Sequence, residues 1–75
     1  MTRSTDAKKL RNYLINKYGP VCQICIAFKR IGKVTLIDLT MENGPLSYSV
    51  DHVIALADGG SDTRDNKQPA HRICN

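Results

Sequence analysis

The spacing of apolar residues changes along this chain and divides it into elements. Ala7, Leu10, Tyr13, Leu14 and Tyr18 recur at helical intervals and draw one apolar stripe, while Lys8, Arg11, Asn16 and Lys17 fall largely off it. Ser4 or Thr5 caps this helix, Asp6 lies in its first turn, and Gly19-Pro20 stops it at about Tyr18. Tyr13 and Tyr18 read as core or boundary residues of that helix, not as a stacking platform. Val34, Thr35, Leu36, Ile37 and Leu39 form a β-rich run that predicts a strand. Residues 48–56, with Val50, Val53, Ile54 and Leu56 apolar, predict a second strand. Lys29 to Gly32 reads as a turn and Glu42-Asn43-Gly44-Pro45 as a loop. Asp58-Gly59-Gly60-Ser61 reads as a loop that uses the positive φ open to glycine. Residues 67–75 predict a short closing helix, in which Pro69 is tolerable only in the first turn. The order helix, strand, strand, helix predicts an α+β fold. Without repeats or linkers, residues 1–75 form one domain: a basic helix over 1–18 and a core over 21–75.

Size changes the picture. A chain of 75 residues buries too little surface to rest on core packing alone, so a staple is expected. Three cysteines cannot close an intramolecular disulfide set, and no secretory signal is read ahead of them. Nor does any apolar run approach the roughly 18 residues that a membrane span needs. These features predict a cytoplasmic protein with reduced thiols, for which a metal site is favoured over disulfides.

Charge is uneven. Residues 1–33 carry Arg3, Lys8, Lys9, Arg11, Lys17, Lys29, Arg30 and Lys33 against Asp6, within a net charge of +4. Residues 34–75 carry Arg64, Lys67 and Arg72 against Asp38, Glu42, Asp51, Asp58, Asp62 and Asp65. A basic front suits a polyanion such as DNA, and an acidic rear suits a cation. A solvated helix face explains the same lysines and arginines equally well.

The cysteines sharpen this. Cys22-x2-Cys25 and His71-x2-Cys74 are two half-sites of matching spacing that together use every cysteine. On a helix, residues three apart share a face, so His71 and Cys74 are expected to meet one ion there. The four make a Cys3His tetrahedron, a standard structural zinc set. It would tie the segment after the first helix to the end of the chain. A redox role for Cys-x-x-Cys is poor, because no βαβ pattern accompanies it.

His52 exceeds that four-ligand set and needs another explanation. A histidine can take a proton from water near neutral pH, and Asp51 beside it offers a hard oxygen to a cation such as Mg2+. Neighbours on a strand point to opposite faces, so a kink or the placement of substrate and ion must reconcile them. An isolated Asp-His pair is otherwise an ordinary strand-end contact.

Taken together, Cys22-x2-Cys25, Val50-Asp51-His52-Val53-Ile54-x-Leu56-x-x-Gly59-Gly60-Ser61-Asp62, Asn66 and His71-x2-Cys74-Asn75 resemble the HNH endonuclease family. The likeness covers about residues 18–75 and is strongest to its small zinc-stapled bacterial and bacteriophage members. It implies a ββα-metal (His-Me finger) fold, here with an N-terminal helix and a structural zinc knuckle. It also implies metal-dependent cleavage of DNA phosphodiester bonds that leaves 5′-phosphate and 3′-hydroxyl ends. In matching positions, His52 would be the general base and Asn66 the asparagine whose amide pins the loop and orients it. Asp51 and Asn75 would hold the catalytic Mg2+ or Mn2+, and Cys22, Cys25, His71 and Cys74 the zinc.

Two departures stand out. Asn75 replaces histidine as the third letter, an H-N-N variant that the family uses, and amide oxygen suits Mg2+ or Mn2+. Asn75 is also the last residue of the sequence, where many relatives continue with a basic tail. A truncated chain, or activity that depends on a partner protein or a dimer, stays open on this point. Lys67 and Arg72, on the closing helix, are candidates for phosphate contacts in the minor groove, or equally a solvated face. The alternative function is a non-catalytic zinc-knuckle module that binds nucleic acid. An adaptor that binds only protein has no feature of its own.

Overall fold

The computed structural model describes the backbone of residues 3–75 and the side chains from residue 7 onward. The proposed cap at Ser4 or Thr5, and Asp6, therefore have side chains outside the described residues. Helix α1 spans Arg3–Tyr18. It ends at Gly19, whose φ of 77° is the left-handed conformation that closes helices at little cost in glycine. Leu14 is fully buried on the expected stripe. Leu10, Tyr13 and Tyr18 are half-buried and Ala7 is exposed. Leu14 thus anchors the helix, and the tyrosines sit at its boundary.

The chain then turns through Pro20 into α2 (Gln23–Ala27), capped by Cys22, whose sulfur accepts from the Cys25 amide at 3.4 Å. The first cysteine pair therefore sits on a short helix. A 3-10 helix follows at Gly32–Thr35.

The strand expected over 34–39 does not form. Only two isolated bridges do, Val21 with Leu36 and Asp38 with Ser47. The physical reason lies in Thr35, whose hydroxyl donates back to the Gly32 carbonyl at 2.8 Å and holds the backbone in a turn. The β-rich residues beyond it pair singly, Ile37 N–H to the Pro20 carbonyl at 2.8 Å and Asp38 N–H to the Leu46 carbonyl at 2.9 Å.

Strand β1 runs Tyr48–His52. It stops four residues before the expected Leu56, because Val53 and Ile54 bond to Asn66 instead of continuing the ladder. Its partner β2 spans Lys67–His71 and pairs antiparallel, with His52 opposite Lys67, Asp51 opposite Gln68 and Tyr48 opposite His71. This corrects the closing helix over 67–75. Pro69, opposite Val50, cannot donate a bond in the interior of a helix, whereas each strand of a two-stranded ribbon is an edge and tolerates it. Helical character survives only as one turn, in which the Asn75 amide donates to the His71 carbonyl at 3.2 Å. Lys67 and Arg72 accordingly lie at opposite ends of β2, not together on a helix.

Helices α1 and α2 both pack on β2. The buried centre is small: Cys22, Cys25, Ile37 and Ala70, with Ile24, Leu39, Tyr48 and Cys74 against it. Three of those eight residues are cysteines, so the core and the thiol cluster are one structure. Among the described residues, no helix is long and apolar enough to cross a membrane.

Candidate active site and metal centre

Three segments deliver the thiol cluster. Cys22 and Cys25 come from the start of α2, His71 from the end of β2, and Cys74 from the turn after it. Their ligand atoms lie within 4.8 Å of one another, with Cys22, Cys25 and His71 buried. His71 and Cys74 converge because the chain coils once after β2, not because they share a helix face.

The separations test whether a metal fits. A zinc–sulfur bond of about 2.3 Å makes a tetrahedral sulfur–sulfur edge of about 3.8 Å. Cys25 and Cys74 sulfurs stand 3.9 Å apart, and His71 Nδ1 is 3.5 Å from Cys25 and 3.7 Å from Cys74. The imidazole is oriented for this task. Its Nε2 lies 2.7 Å from the Leu36 carbonyl, which only accepts, so Nε2 carries the proton and Nδ1 presents its lone pair to the sulfurs. The Cys22 sulfur accepts from the amides of Cys25 and His71 at 3.4 and 3.2 Å. Donors of this kind are the outer support that thiolate ligands require.

The electrostatics agree. Burial pushes the Cys25 thiol up, yet hydrogen bonds led by Arg30, then Cys22, His71 and Cys74, bring it down to about 7. Burial, with the neighbouring cysteines, pushes Cys74 up to about 11. Three thiolates this close repel, so the cluster needs a cation to ionise fully. Arg30 supplies part of that charge, with Nη1 3.4 Å from Cys25 and 3.7 Å from Cys74. It was not foreseen among the site residues, and no spacing in the sequence signals it.

At the other end of the ribbon, Asp51 and His52 diverge as strand alternation requires. Asp51 Oδ2 accepts from Gln68 Nε2 at 2.8 Å. His52 Nε2 lies 2.8 Å from Asp62 Oδ1, and Lys67 Nζ is 3.4 Å from the same oxygen. The hydrogen bond to His52 first, then the charge and hydrogen bond of Lys67, hold the Asp62 carboxyl below its ordinary value. Asp62 was part of the motif but carried no assigned role, because a contact made by a loop leaves no periodic trace.

Asn66 is buried between the ribbon and its loop. Its Oδ1 accepts from the Ile54 amide at 2.8 Å, and its Nδ2 donates to the carbonyls of Ile54 and Ser61 at 2.9 and 2.7 Å. Its own carbonyl accepts from Val53 at 2.9 Å. Four bonds from one residue therefore close residues 53–61 into a fixed loop. Gly59, at φ 90°, makes the turn, and Gly60 lies against the Ile54 carbonyl and Asn66 Nδ2. Gly60→Ala would drive a methyl group into that backbone carbonyl. We expect a loss of about 2–3 kcal/mol of stability, measured by urea unfolding of the metal-loaded protein; an unchanged midpoint would show that the clamp yields.

Asn75 reaches back over β1. Its Nδ2 donates to Ser49 Oγ at 2.8 Å and to the Val50 carbonyl at 2.7 Å. Ser49 and Asp51 share a strand face, so Asn75 lies on the side of the ribbon that carries the Asp51 carboxylate. Its side-chain bonds described here both run through Nδ2.

An N-terminal helix, a two-stranded ribbon with a clamped loop, and a Cys3His cluster compatible with a zinc knuckle define a small α+β domain of the ββα-metal type. A family model described as HNH endonuclease matches residues 22–75, and the chain belongs to the HNH endonuclease family. Comparison with curated proteins and with solved structures found no match.

Proposed function

We propose that this protein is a metal-dependent DNA endonuclease that hydrolyses phosphodiester bonds through His52. One observation carries the reading: His52, with about a quarter of its side chain exposed (27%), is held at the end of β1 by an acid, beside Asp51. Donation of Nε2–H to Asp62 leaves Nδ1 with a lone pair, and Nδ1 takes the proton of the attacking water. The Asp62 carboxylate then balances the imidazolium that forms. Asn66 is a positioning residue, which fixes the loop that carries Asp62 and leads away from His52.

Asp51 and Asn75 would hold Mg2+ or Mn2+, which when bound supplies stabilisation of charge on the scissile phosphate and the leaving oxygen. Cys22, Cys25, His71 and Cys74 would hold zinc in a purely structural role. Residues 1–75 act as one nuclease domain, to which the basic front contributes phosphate affinity without base readout. Lys67, beside the His52–Asp62 pair, would serve the phosphate near the reacting centre, while Arg72 would act at the far end of the ribbon. The family's chemistry would leave 5′-phosphate and 3′-hydroxyl ends.

The test is conversion of supercoiled plasmid to nicked or linear DNA by the zinc-loaded protein with added Mg2+ or Mn2+. Conversion that depends on the added ion is expected. Intact plasmid with every divalent ion, from protein that still holds zinc and binds DNA, would leave a binding module without catalysis.

A further inference from the structure

A cavity of about 410 Å³ opens between α1, the loop before β1 and the turn after β2, at the end of the ribbon remote from His52. Its walls include Arg11, Tyr48, Arg72 and Glu42. Both guanidinium groups are held in place by acceptors that leave most of their donors unused. Arg11 Nη2 donates to the Leu39 carbonyl at 3.2 Å. Arg72 donates through Nε to Ser47 Oγ at 3.2 Å and through Nη2 to the Glu42 carbonyl at 2.9 Å. The Arg11 guanidinium also lies over the Tyr48 ring, 5.7 Å from its centroid. The Tyr48 hydroxyl is shielded from solvent and has no hydrogen-bond partner, a costly state for a polar group.

We infer that Arg11 and Arg72 form a second anion site, which binds a phosphate group in this cavity. Two fixed guanidiniums offer forked donors suited to phosphate oxygens. The carboxylate of Glu42 opposes the ligand and leaves the lining one positive charge in excess. The inference rests on the nuclease reading only for the source of the phosphate, either a backbone phosphate of bound DNA or a terminal phosphate of a nucleotide.

The test is titration of the zinc-loaded protein with inorganic phosphate, followed by NMR of the arginine Nε–H signals. Saturable shifts at Arg11 and Arg72 are expected. Arg11→Gln should abolish them, whereas Tyr48→Phe, which removes only a hydroxyl shielded from the cavity, should leave them unchanged. Glu42→Gln should tighten binding. Arginine signals that do not move, or shifts that persist unchanged in Arg11→Gln, overturn the site. Because Arg11 gives up only one bond, to the Leu39 carbonyl, its substitution is expected to keep the fold even where substitution of Arg72 disturbs the Ser47 loop.

The source is then read with two further probes. Loss of affinity in Arg11→Gln for a short duplex without terminal phosphates assigns a backbone phosphate. Loss for thymidine 5′-monophosphate, with the duplex unaffected, assigns a terminal phosphate. Repeating the titration in His52→Ala separates the two readings: phosphate binding without plasmid cleavage by the wild type would retain this site and remove the nuclease assignment.

Discussion

Replacement of His52 by alanine is expected to lower plasmid cleavage by about 10²–10⁴-fold, the usual contribution of a positioned general base. The fold should survive. The side chain is partly exposed, and its hydrogen-bond partner Asp62 is 72% exposed, so no buried group is orphaned. Zinc content and the circular dichroism spectrum should match those of the wild type, which makes the rate a clean readout. Asp62→Asn should fall between the two, because it keeps an acceptor oxygen for the ring but removes the charge that balances the imidazolium. Cleavage by His52→Ala at the wild-type rate would move the base elsewhere and sink the assignment.

Removal of the structural metal is expected to unfold the domain. Cys22, Cys25, His71 and Cys74 join the start of α2 to the turn after β2, and three of them belong to the buried centre. Without a cation, the thiols must hold protons in a dry cluster, and nothing of comparable size replaces the lost bonds. Metal binding at such sites is itself folding free energy, apparent values being about 10–16 kcal/mol in zinc-finger peptides. Helix α1, with 16 residues, is marginal once its packing is gone. Chelation should therefore collapse the far-UV circular dichroism signal, and zinc should restore it. A spectrum that stays unchanged after complete metal removal would refute the staple.

The pH dependence has a definite sign. Each bound cysteine must be deprotonated, so acidification weakens metal retention. Cys74, pushed up to about 11 by burial and by its cysteine neighbours, resists ionisation most. Cys25, brought down to about 7, contributes stability above its ordinary value and loses it as pH falls through about 7. Proton competition with the metal and the lost ionisation of Cys25 both weaken the fold as pH falls through about 7.

What the amino-acid sequence determined by itself was chemistry at fixed separations. Two half-sites at matching spacing identified the four side chains that the fold brings within 4.8 Å of one another, since a tetrahedron needs four donors and the two pairs supply them. The turn residues Gly19-Pro20 ended α1 where local φ preferences demand it, and the apolar stripe found Leu14. The spacing that revealed His71 and Cys74, however, also misled. An i, i+3 pair suggests a helix, whereas β2 reaches His71 as a strand and one turn brings Cys74 back to it. Pro69 held the contrary signal, being poorly suited to the interior of a helix.

Tertiary structure alone decided how the residues of the site are partnered. Val34 to Leu39 has strand composition but little strand, because its neighbours in space offer only single bridges and Thr35 closes a turn on Gly32. Asp62 meets His52 and Arg30 meets the thiols across loops that obey no period. The cavity of Arg11, Tyr48 and Arg72 gathers residues distant in the chain, which no local pattern relates. Local propensity and ligand spacing act over a few residues and are written along the chain. Hydrogen-bond satisfaction and charge balance are settled among groups that meet only when the ribbon, the helices and the knuckle close on one another.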